Sequence, residues 1–224
     1  MKKLTLFMSL LLVLGCSAKS DVFNTRYSGT LELTEHVLGP KVAGRITTLT
    51  VKEGDLVKVS QVISTLDRYE QAKKDYERTV ELLKIGGTTP QTLEYAKLSM
   101  EDQQIVAPID GVVLVKTSEV GEIIPAGAGV VVIGDPKDQW VKIYLSEGLV
   151  SQIRIGQKAT VVFDGSNKIY EGHISFIATK AQFTPRNVQT PEERVTQTFA
   201  VKISLDNPDE YVHAGVAADV TFKR

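Results

Sequence analysis

The chain has 224 residues, of which 26 are Lys or Arg and 27 are Asp or Glu, so its formal net charge at pH 7 is −1. A near-neutral chain without a basic stripe is not expected to bind nucleic acid. Aromatic residues make up only 7% of the sequence, which argues against a surface that stacks sugars or bases. The length allows one or two small modules.

The N-terminal residues predict export and a lipid anchor. Lys2 and Lys3 precede an apolar run at residues 4–14, which has the length of a signal-peptide core and is too short to span a bilayer. The run ends in Gly15 and Cys16, the only cysteine of the chain. This pattern resembles a bacterial lipobox, and an uncleaved anchor with an unmodified thiol is the alternative. Because the sole cysteine stands at the end of the run, we favour cleavage before Cys16 and lipidation of its thiol.

A repeat in two separated copies occupies the middle of the chain. Gly54 follows Gly44 by ten residues, and Gly121 follows Gly111 by the same ten. A single offset of 67 residues relates the copies and also pairs Ile46 with Val113, Asp55 with Glu122, Val57 with Ile124 and Leu66 with Ile133. Such self-similarity indicates one supersecondary unit used twice. The glycines are typical of tight turns between short strands.

The segment between the copies has helical character. Residues 68–85 lack Gly and Pro, and their apolar stripe at steps of three and four consists of Tyr69, Ala72, Tyr76, Thr79 and Leu83. Thr89 as N-cap and Pro90 at the first helical position predict a second helix to about Gln104, with Leu93, Ala96 and Met100 facing inward. Two antiparallel helices of about 15 to 18 residues would form a hairpin arm roughly 25 Å long. A βαβ crossover inside a globular domain is the less favoured alternative.

Alternating apolar and polar residues predict further strands on both sides of this region. A half-buried strand is expected at residues 23–38, before the repeat. After Pro136 the pattern returns in five segments, at residues 140–145, 158–164, 170–177, 198–205 and 216–222. Short strands at fairly regular spacing are typical of a small antiparallel barrel or sandwich.

Together these segments resemble the HlyD-like membrane fusion proteins, the periplasmic adaptors of tripartite efflux systems. Residues 42–67 and 106–133 resemble the two halves of that family's lipoyl-like domain, and residues 215–220 resemble its closing barrel strand. The resemblance implies a mainly β fold with an α-helical hairpin: a lipoyl-like (barrel-sandwich hybrid) domain interrupted by the hairpin, plus a small antiparallel β-barrel. It implies a lipoprotein signal peptide at 1–16, the barrel at 17–38 and 137–224, the lipoyl-like domain at 39–67 and 104–136, and the hairpin at 68–103.

The resemblance also extends to the hairpin tip. In adaptors that dock to TolC-like channels, an Arg, a Leu four residues on and a Ser seven residues further lie at the tip. Arg78, Leu82 and Thr89 have this spacing here, with Thr in place of Ser. Residues four apart share a helix face, so an exposed Leu beside an Arg could enter a groove between channel helices. A solvated charge beside a stray surface Leu is the alternative interpretation.

The resemblance implies a non-catalytic adaptor in the periplasm of a Gram-negative bacterium. The barrel would contact an inner-membrane exporter, the lipoyl-like domains would pack into a ring (of six copies in the family), and the hairpins would reach a TolC-like outer-membrane channel. Residues 183–190 with Glu193 and Arg194 resemble adaptors of ABC exporters, which favours an ABC transporter over an RND-type one as partner. No further membrane-proximal domain, of the kind that proton-driven systems carry, is expected.

The sequence leaves open which membrane holds the lipid anchor and whether the hairpin docks to an outer-membrane channel. Ser17 after Cys16 favours outer-membrane sorting under the enterobacterial rule, whereas an adaptor is expected to stay anchored to the inner membrane. The hairpin is shorter than the arms of many family members. A lipid-anchored periplasmic scaffold or accessory protein of an inner-membrane transporter, without outer-membrane docking, is therefore the alternative function.

Two other classes of function fit the sequence poorly. A carrier domain would present a lipoyl- or biotinyl-lysine at a tight turn between its halves, where this chain has the helical arm. An enzyme would need a catalytic cluster, but His36, His173 and His213 are scattered and lack metal-ligand spacing. Asp67 and Asp110 are expected to cap turns. We therefore expect no catalytic residue, metal site or cofactor.

Overall fold

A closed barrel, a smaller β-domain and a two-helix arm make up the part of the chain that the structure describes. The computed structural model covers residues 22–166, 168–183, 197–208 and 213–223. The predicted signal peptide with Cys16 lies outside these described residues, and so does most of the segment that resembles ABC-exporter adaptors. The observed architecture confirms the predicted fold class of a mainly β chain with an α-helical hairpin.

Short strands and three helices follow one another along the described chain. The strands are β1 Tyr27–Leu38, β2 Gly44–Leu49, β3 Leu56–Val57, β4 Val62–Leu66, β5 Gln104–Val106, β6 Gly111–Lys116, β7 Ile123–Ile124, β8 Val131–Ser146, β9 Lys158–Phe163, β10 Ile169–Ile177, β11 Gln182–Phe183, β12 Gln197–Leu205 and β13 Ala217–Phe222. The helices are α1 Tyr69–Lys84, α2 Pro90–Glu101 and α3 Glu147–Val150, and a 3-10 turn spans Val22–Asn24.

Six strands form a closed antiparallel barrel. The strands pair in the order β12, β10, β9, β13, β1 and β8, and β8 pairs again with β12, which closes the sheet. Inward-facing apolar side chains fill the interior, among them Leu31, Val141, Ile143, Val161, Ile174, Val201, Ile203 and Val220. Closure leaves these six strands without a free sheet edge, which removes the risk of edge-to-edge aggregation.

The repeat forms the smaller domain, here called the hybrid domain, by exchanging strands between its copies. Strand β3 of the first copy pairs with β6 of the second, and β7 of the second pairs with β2 of the first. The turn glycines Gly54 and Gly121 have φ of 88° and 96°, and their N–H groups donate to the carbonyl oxygens of Val113 and Ile46, both at 2.8 Å. The two copies of the repeat, which are 67 residues apart in sequence, are thus related by pseudo-two-fold symmetry in space.

One strand connects the two β-domains. Strand β8 pairs with β1 along most of its length, but the register shifts between the pairs Leu33–Gln139 and Glu35–Gly134. Residues 135–138 of β8 therefore bulge opposite Thr34 alone. Pro136 lies in this bulge, so its lack of an N–H group does not cost the sheet a hydrogen bond. The sequence predicts the border between the lipoyl-like domain and the barrel at residue 136, and this residue lies inside the continuous strand β8.

The arm is a hairpin of two helices of unequal length. Helix α1 has 16 residues, as predicted, whereas α2 has only 12. The prediction that α2 reaches about Gln104 is wrong, because Gln104–Val106 joins β4 as strand β5 and the backbone N–H of Leu66 donates to the carbonyl oxygen of Gln103 at 2.9 Å. Sheet pairing therefore ends the helix at Glu101. The hydroxyl of Thr89 accepts from the N–H of Thr92 at 3.2 Å, which confirms the predicted N-cap.

We expect the hybrid domain to depend on its buried aliphatic side chains. Ile63 is fully buried, so Ile63→Ala should lower the free energy of unfolding by about 2–4 kcal/mol through lost burial and a residual cavity. Leu56, in the same domain, is largely exposed, and Leu56→Ala should change the free energy of unfolding by less than about 0.5 kcal/mol. Urea unfolding followed by circular dichroism measures both, and equal losses would contradict the assigned core.

The cap at Thr89 gives a second expectation. Thr89→Ala should destabilise α2 by about 0.5–2 kcal/mol because the N–H of Thr92 loses its acceptor, whereas Thr89→Ser should keep the cap. Hydrogen exchange of the peptide covering residues 90–101, measured by mass spectrometry in the full chain, would report the difference. Equal exchange in the Ala and Ser variants would show that the cap contributes nothing.

Candidate functional site

The hairpin is held at its base by neighbouring strands. Strands β4 and β5 pair antiparallel, and α1 follows β4 while α2 precedes β5. The ammonium group of Lys41 contacts the carboxylate of Asp102 at 2.9 Å, and this hydrogen bond raises the pKa of Lys41. Both helices thus leave the hybrid domain side by side, and the 16 residues of α1 carry the tip about 24 Å away at 1.5 Å per residue.

Within the described chain, the two helices pack mainly against each other. The predicted inner stripe is partly buried, namely Tyr69, Ala72, Tyr76, Thr79 and Leu83 on α1 and Leu93, Ala96 and Met100 on α2. Neither helix has a fully buried residue, because no third layer covers the seam in the described chain. The outward faces of the arm are therefore accessible surface.

Arg78 and Leu82 lie one turn apart on the outward surface of α1. The guanidinium of Arg78 contacts the carboxylate of Asp75 at 3.0 Å in an exposed i, i+3 ion pair. The side chain of Leu82 is 40% exposed, and its carbonyl oxygen accepts from the N–H of Gly87 at 2.8 Å in the tip turn. This pair can offer a cation and an apolar knob to a partner helix.

Thr89 stands apart from that pair, at the start of the other helix. Its hydroxyl lies 2.9 Å from the hydroxyl of Thr92 and also accepts the N–H of Thr92 as the N-cap. The side chain is exposed, but its oxygen is already engaged within α2. The structure therefore gives Thr89 a local folding role that is independent of any partner.

Ile85 extends the exposed surface and was missed from the sequence. It caps the end of α1 directly after Lys84 and follows Leu82 by three residues; we call Arg78, Leu82 and Ile85 the tip stripe. Ile85 is 78% exposed, more than Leu82. The spacing of Ile85 from Leu82 is visible in the sequence, but its exposure is not. Together, Leu82 and Ile85 expose apolar surface at the tip of the arm.

The polar residues considered as catalytic or ligand groups have structural contacts instead. One carboxylate oxygen of Asp110 accepts the N–H of Val59 at 2.9 Å, and this hydrogen bond, with the ammonium of Lys58, lowers the pKa of Asp110. Asp67 accepts the N–H of Arg45 at 3.3 Å. Both contacts fix loops of the repeat, in line with the expected capping role.

No metal-ligand cluster is present among the described residues, where no three His, Cys, Asp or Glu side chains come together. His173 pairs with Asp206 at 2.7 Å on the barrel, while His36 lies on β1 and His213 precedes β13. Within the same described ranges, none of the helices has the length and apolar character needed to cross a bilayer.

Comparison with known sequences identifies the hybrid domain. Residues 35–134 match the family described as RND MFP, barrel-sandwich hybrid domain. The UPF0194 membrane protein of Citrobacter koseri is 30% identical over 128 residues, which are 57% of this chain and 39% of that protein. The chain therefore spans about two fifths of the length of the curated relatives that it matches.

Solved structures share the fold over most of the chain. A MacA–MexA chimeric protein that contains the Pseudomonas aeruginosa MexA α-hairpin domain aligns with a TM-score of 0.63 at 19% identity, over 89% of this chain and 78% of that one. ZneB from Cupriavidus metallidurans aligns with a TM-score of 0.58 at 19% identity, over 88% of this chain and 97% of that one. At these identities the likeness shows the fold. Residues 35–134 of the chain thus carry the barrel-sandwich hybrid domain that the RND MFP family describes.

Proposed function

We propose that this chain is the adaptor of a tripartite efflux or secretion system, anchored by a lipid on Cys16. It would link an inner-membrane exporter to a TolC-like outer-membrane channel and would catalyse no reaction itself. The observation that carries the proposal is the exposed tip stripe at the far end of an arm whose base is built into a membrane-fusion-type hybrid domain. Adaptors work by sealing and coupling, so such a surface is where a channel would be held.

An ABC exporter is the proposed inner-membrane partner. The support is the sequence of residues 183–190 with Glu193 and Arg194, which resembles adaptors of ABC exporters. The matching domain description carries the RND name, so an RND-type transporter is the competing partner. The barrel would provide the contact in both cases, since it is the domain nearest to Cys16 in the chain.

The hybrid domain has two exposed edges suited to ring formation. Leu56 on β3 and Ile123 on β7 are equivalent residues of the two copies, and they are 71% and 70% exposed. Each lies on a strand that pairs on one side only within the described sheets. The pseudo-two-fold relation places equivalent edges on two sides of the domain. The β3 edge of one protein chain can therefore meet the β7 edge of a neighbouring chain, and such a head-to-tail contact closes by rotation into a ring.

The shortness of α2 favours a second candidate function. With 12 residues, α2 spans only about 18 Å at 1.5 Å per residue. An arm of this reach also suits a lipid-anchored scaffold or accessory protein of an inner-membrane transporter that makes no outer-membrane contact. The two candidates differ in what the tip touches.

Crosslinking in cells distinguishes these functions. A photo-reactive residue at position 82 or 85 should trap a TolC-like channel, identified by mass spectrometry, and Arg78→Ala should reduce the yield at position 82 severalfold. The matched control is position 97 near the base of the arm, where Lys97 pairs with Glu101 and no channel crosslink is expected. Crosslinks only to other copies of the chain, or none, would reject channel docking and support the scaffold.

Charge substitutions at the two edges test the ring. In the full chain purified in detergent, Leu56→Arg or Ile123→Arg alone should abolish oligomers in native mass spectrometry, because every head-to-tail contact uses both edges. A mixture of the two variants should recover dimers only, since each variant retains one intact edge. Val115→Arg, on another exposed position of the domain, should leave the oligomers intact. Oligomers in both single variants would contradict this interface.

A further inference from the structure

We infer that the barrel end beside the chain entry is a lipid-contact surface that rests on an anionic bilayer. The surface consists of Ile155 and Phe176, with the basic side chains Arg154, Lys158 and Lys202 around them. It lies next to the turn at Val22–Asn24, where the described chain begins. This surface goes beyond adaptor function, and one step of the argument, the tether at Cys16, rests on the proposed lipidation.

Two exposed apolar side chains lie near each other on adjacent segments. Ile155, in the turn before β9, is 67% exposed, and Phe176 on β10 is about half exposed. The N–H of Gly156 donates to the carbonyl oxygen of Ile174 at 2.7 Å, and the N–H of Ile174 donates to that of Gln157 at 2.9 Å. These bonds place both Gly156 and Gln157 opposite Ile174, so Ile155 lies in the turn just beyond, near the end of β10 that carries Phe176.

Basic groups border this apolar pair. Lys202 lies opposite Phe176 on β12, and Lys158 begins β9 three residues after Ile155. The nearby carboxylate of Glu171 is already paired with the ammonium of Lys223 at 2.6 Å, a contact that lowers the pKa of Glu171.

Arg154 is held beside Ile155 by the turn itself. Its guanidinium donates to the carbonyl oxygens of Ser151 and Ile153 at 2.9 and 2.8 Å. Lys202 is likewise ordered, with its ammonium 4.0 Å from the centre of the Trp140 ring. Apolar side chains bordered by fixed cations are the pattern that interfacial protein surfaces present to anionic lipids.

The chain enters the barrel at this same end. Val22 is fully buried in the barrel core, and the rings of Tyr27 and Phe222 lie 5.6 Å apart. The N–H of Lys223 donates to the carbonyl oxygen of Lys158 at 2.9 Å, which places the end of β13 beside the start of β9. The 3-10 turn packs against β13, so the chain entry and the turn that carries Ile155 are neighbours.

The short link to Cys16 makes a weak lipid contact sufficient. Val22 follows Cys16 by six residues, which span at most about 22 Å when fully extended. A lipid on Cys16 would keep this barrel end close to the bilayer at a high effective concentration. Contact by a few side chains then orients the barrel without having to supply the membrane affinity.

Depth-dependent quenching tests the surface in the full chain as cells make it. Lipidation blocks the only native cysteine, so Ile155→Cys and Ile169→Cys each carry one free thiol for a fluorophore. Ile169 is the matched control, because it is 65% exposed and begins the same strand that ends beyond Phe176. In phosphatidylethanolamine–phosphatidylglycerol vesicles, headgroup spin labels should quench position 155 at least threefold more than position 169. Equal quenching would overturn the inference.

A second measurement separates this inference from the proposed anchor. The mass of the purified chain and its lack of reaction with thiol reagents report lipidation of Cys16. If Cys16 is unmodified, the anchor fails, and vesicle binding by the chain from residue 16 with Cys16→Ser still decides the surface. That chain should bind phosphatidylglycerol vesicles at least fivefold better than the Arg154→Gln, Ile155→Ser, Phe176→Ser variant, while Ile169→Ser should bind like the parent. Equal binding by all three chains would reject the lipid surface.

Discussion

The two copies of the repeat depend on each other because each supplies the strand that completes the other's sheet. The bonds from Gly54 to Val113 and from Gly121 to Ile46 form only when both copies are present and aligned. The 67-residue offset means that the chain must complete the arm before either half is stable, so the hybrid domain is built from long-range contacts. The same exchange brings β4 and β5 together as neighbours, which is why the inserted helices are antiparallel.

Strand β8 connects the hybrid domain to the barrel. Its 16 residues run from the hybrid core through the bulge into the barrel wall, a distance of about 40 Å at 3.3 Å per residue because three residues of the bulge add no length. One continuous strand with its pairing to β1 joins the domains more firmly than a flexible linker would. The chain thus has a polarity, with the proposed lipid surface at the far end of the barrel and the tip stripe at the end of the arm.

Much of the fold could be predicted from the sequence because its signals are local and periodic. The repeat, the helical stripe and the Thr89–Pro90 helix start each depend on residues close in sequence, and the structure has all three. The end of α2 could not be predicted, since it is set by sheet pairing of Gln104–Val106 with a strand about 40 residues earlier. The bulge at Pro136 depends in the same way on β1. The roles of Arg78 and Leu82 depend on a partner surface, which one chain's sequence does not contain.

The anchoring of the arm in two adjacent strands separates its length from the stability of the rest. Both ends of the insertion are fixed a strand spacing apart, so adding or removing whole helical turns changes the reach without altering the hydrogen bonds of the hybrid domain. Because neither helix contributes a fully buried residue, such changes also leave the two hydrophobic cores untouched. In evolutionary terms, the distance that such a protein bridges can drift in steps of about 5.4 Å per turn while its folding domains stay under separate selection.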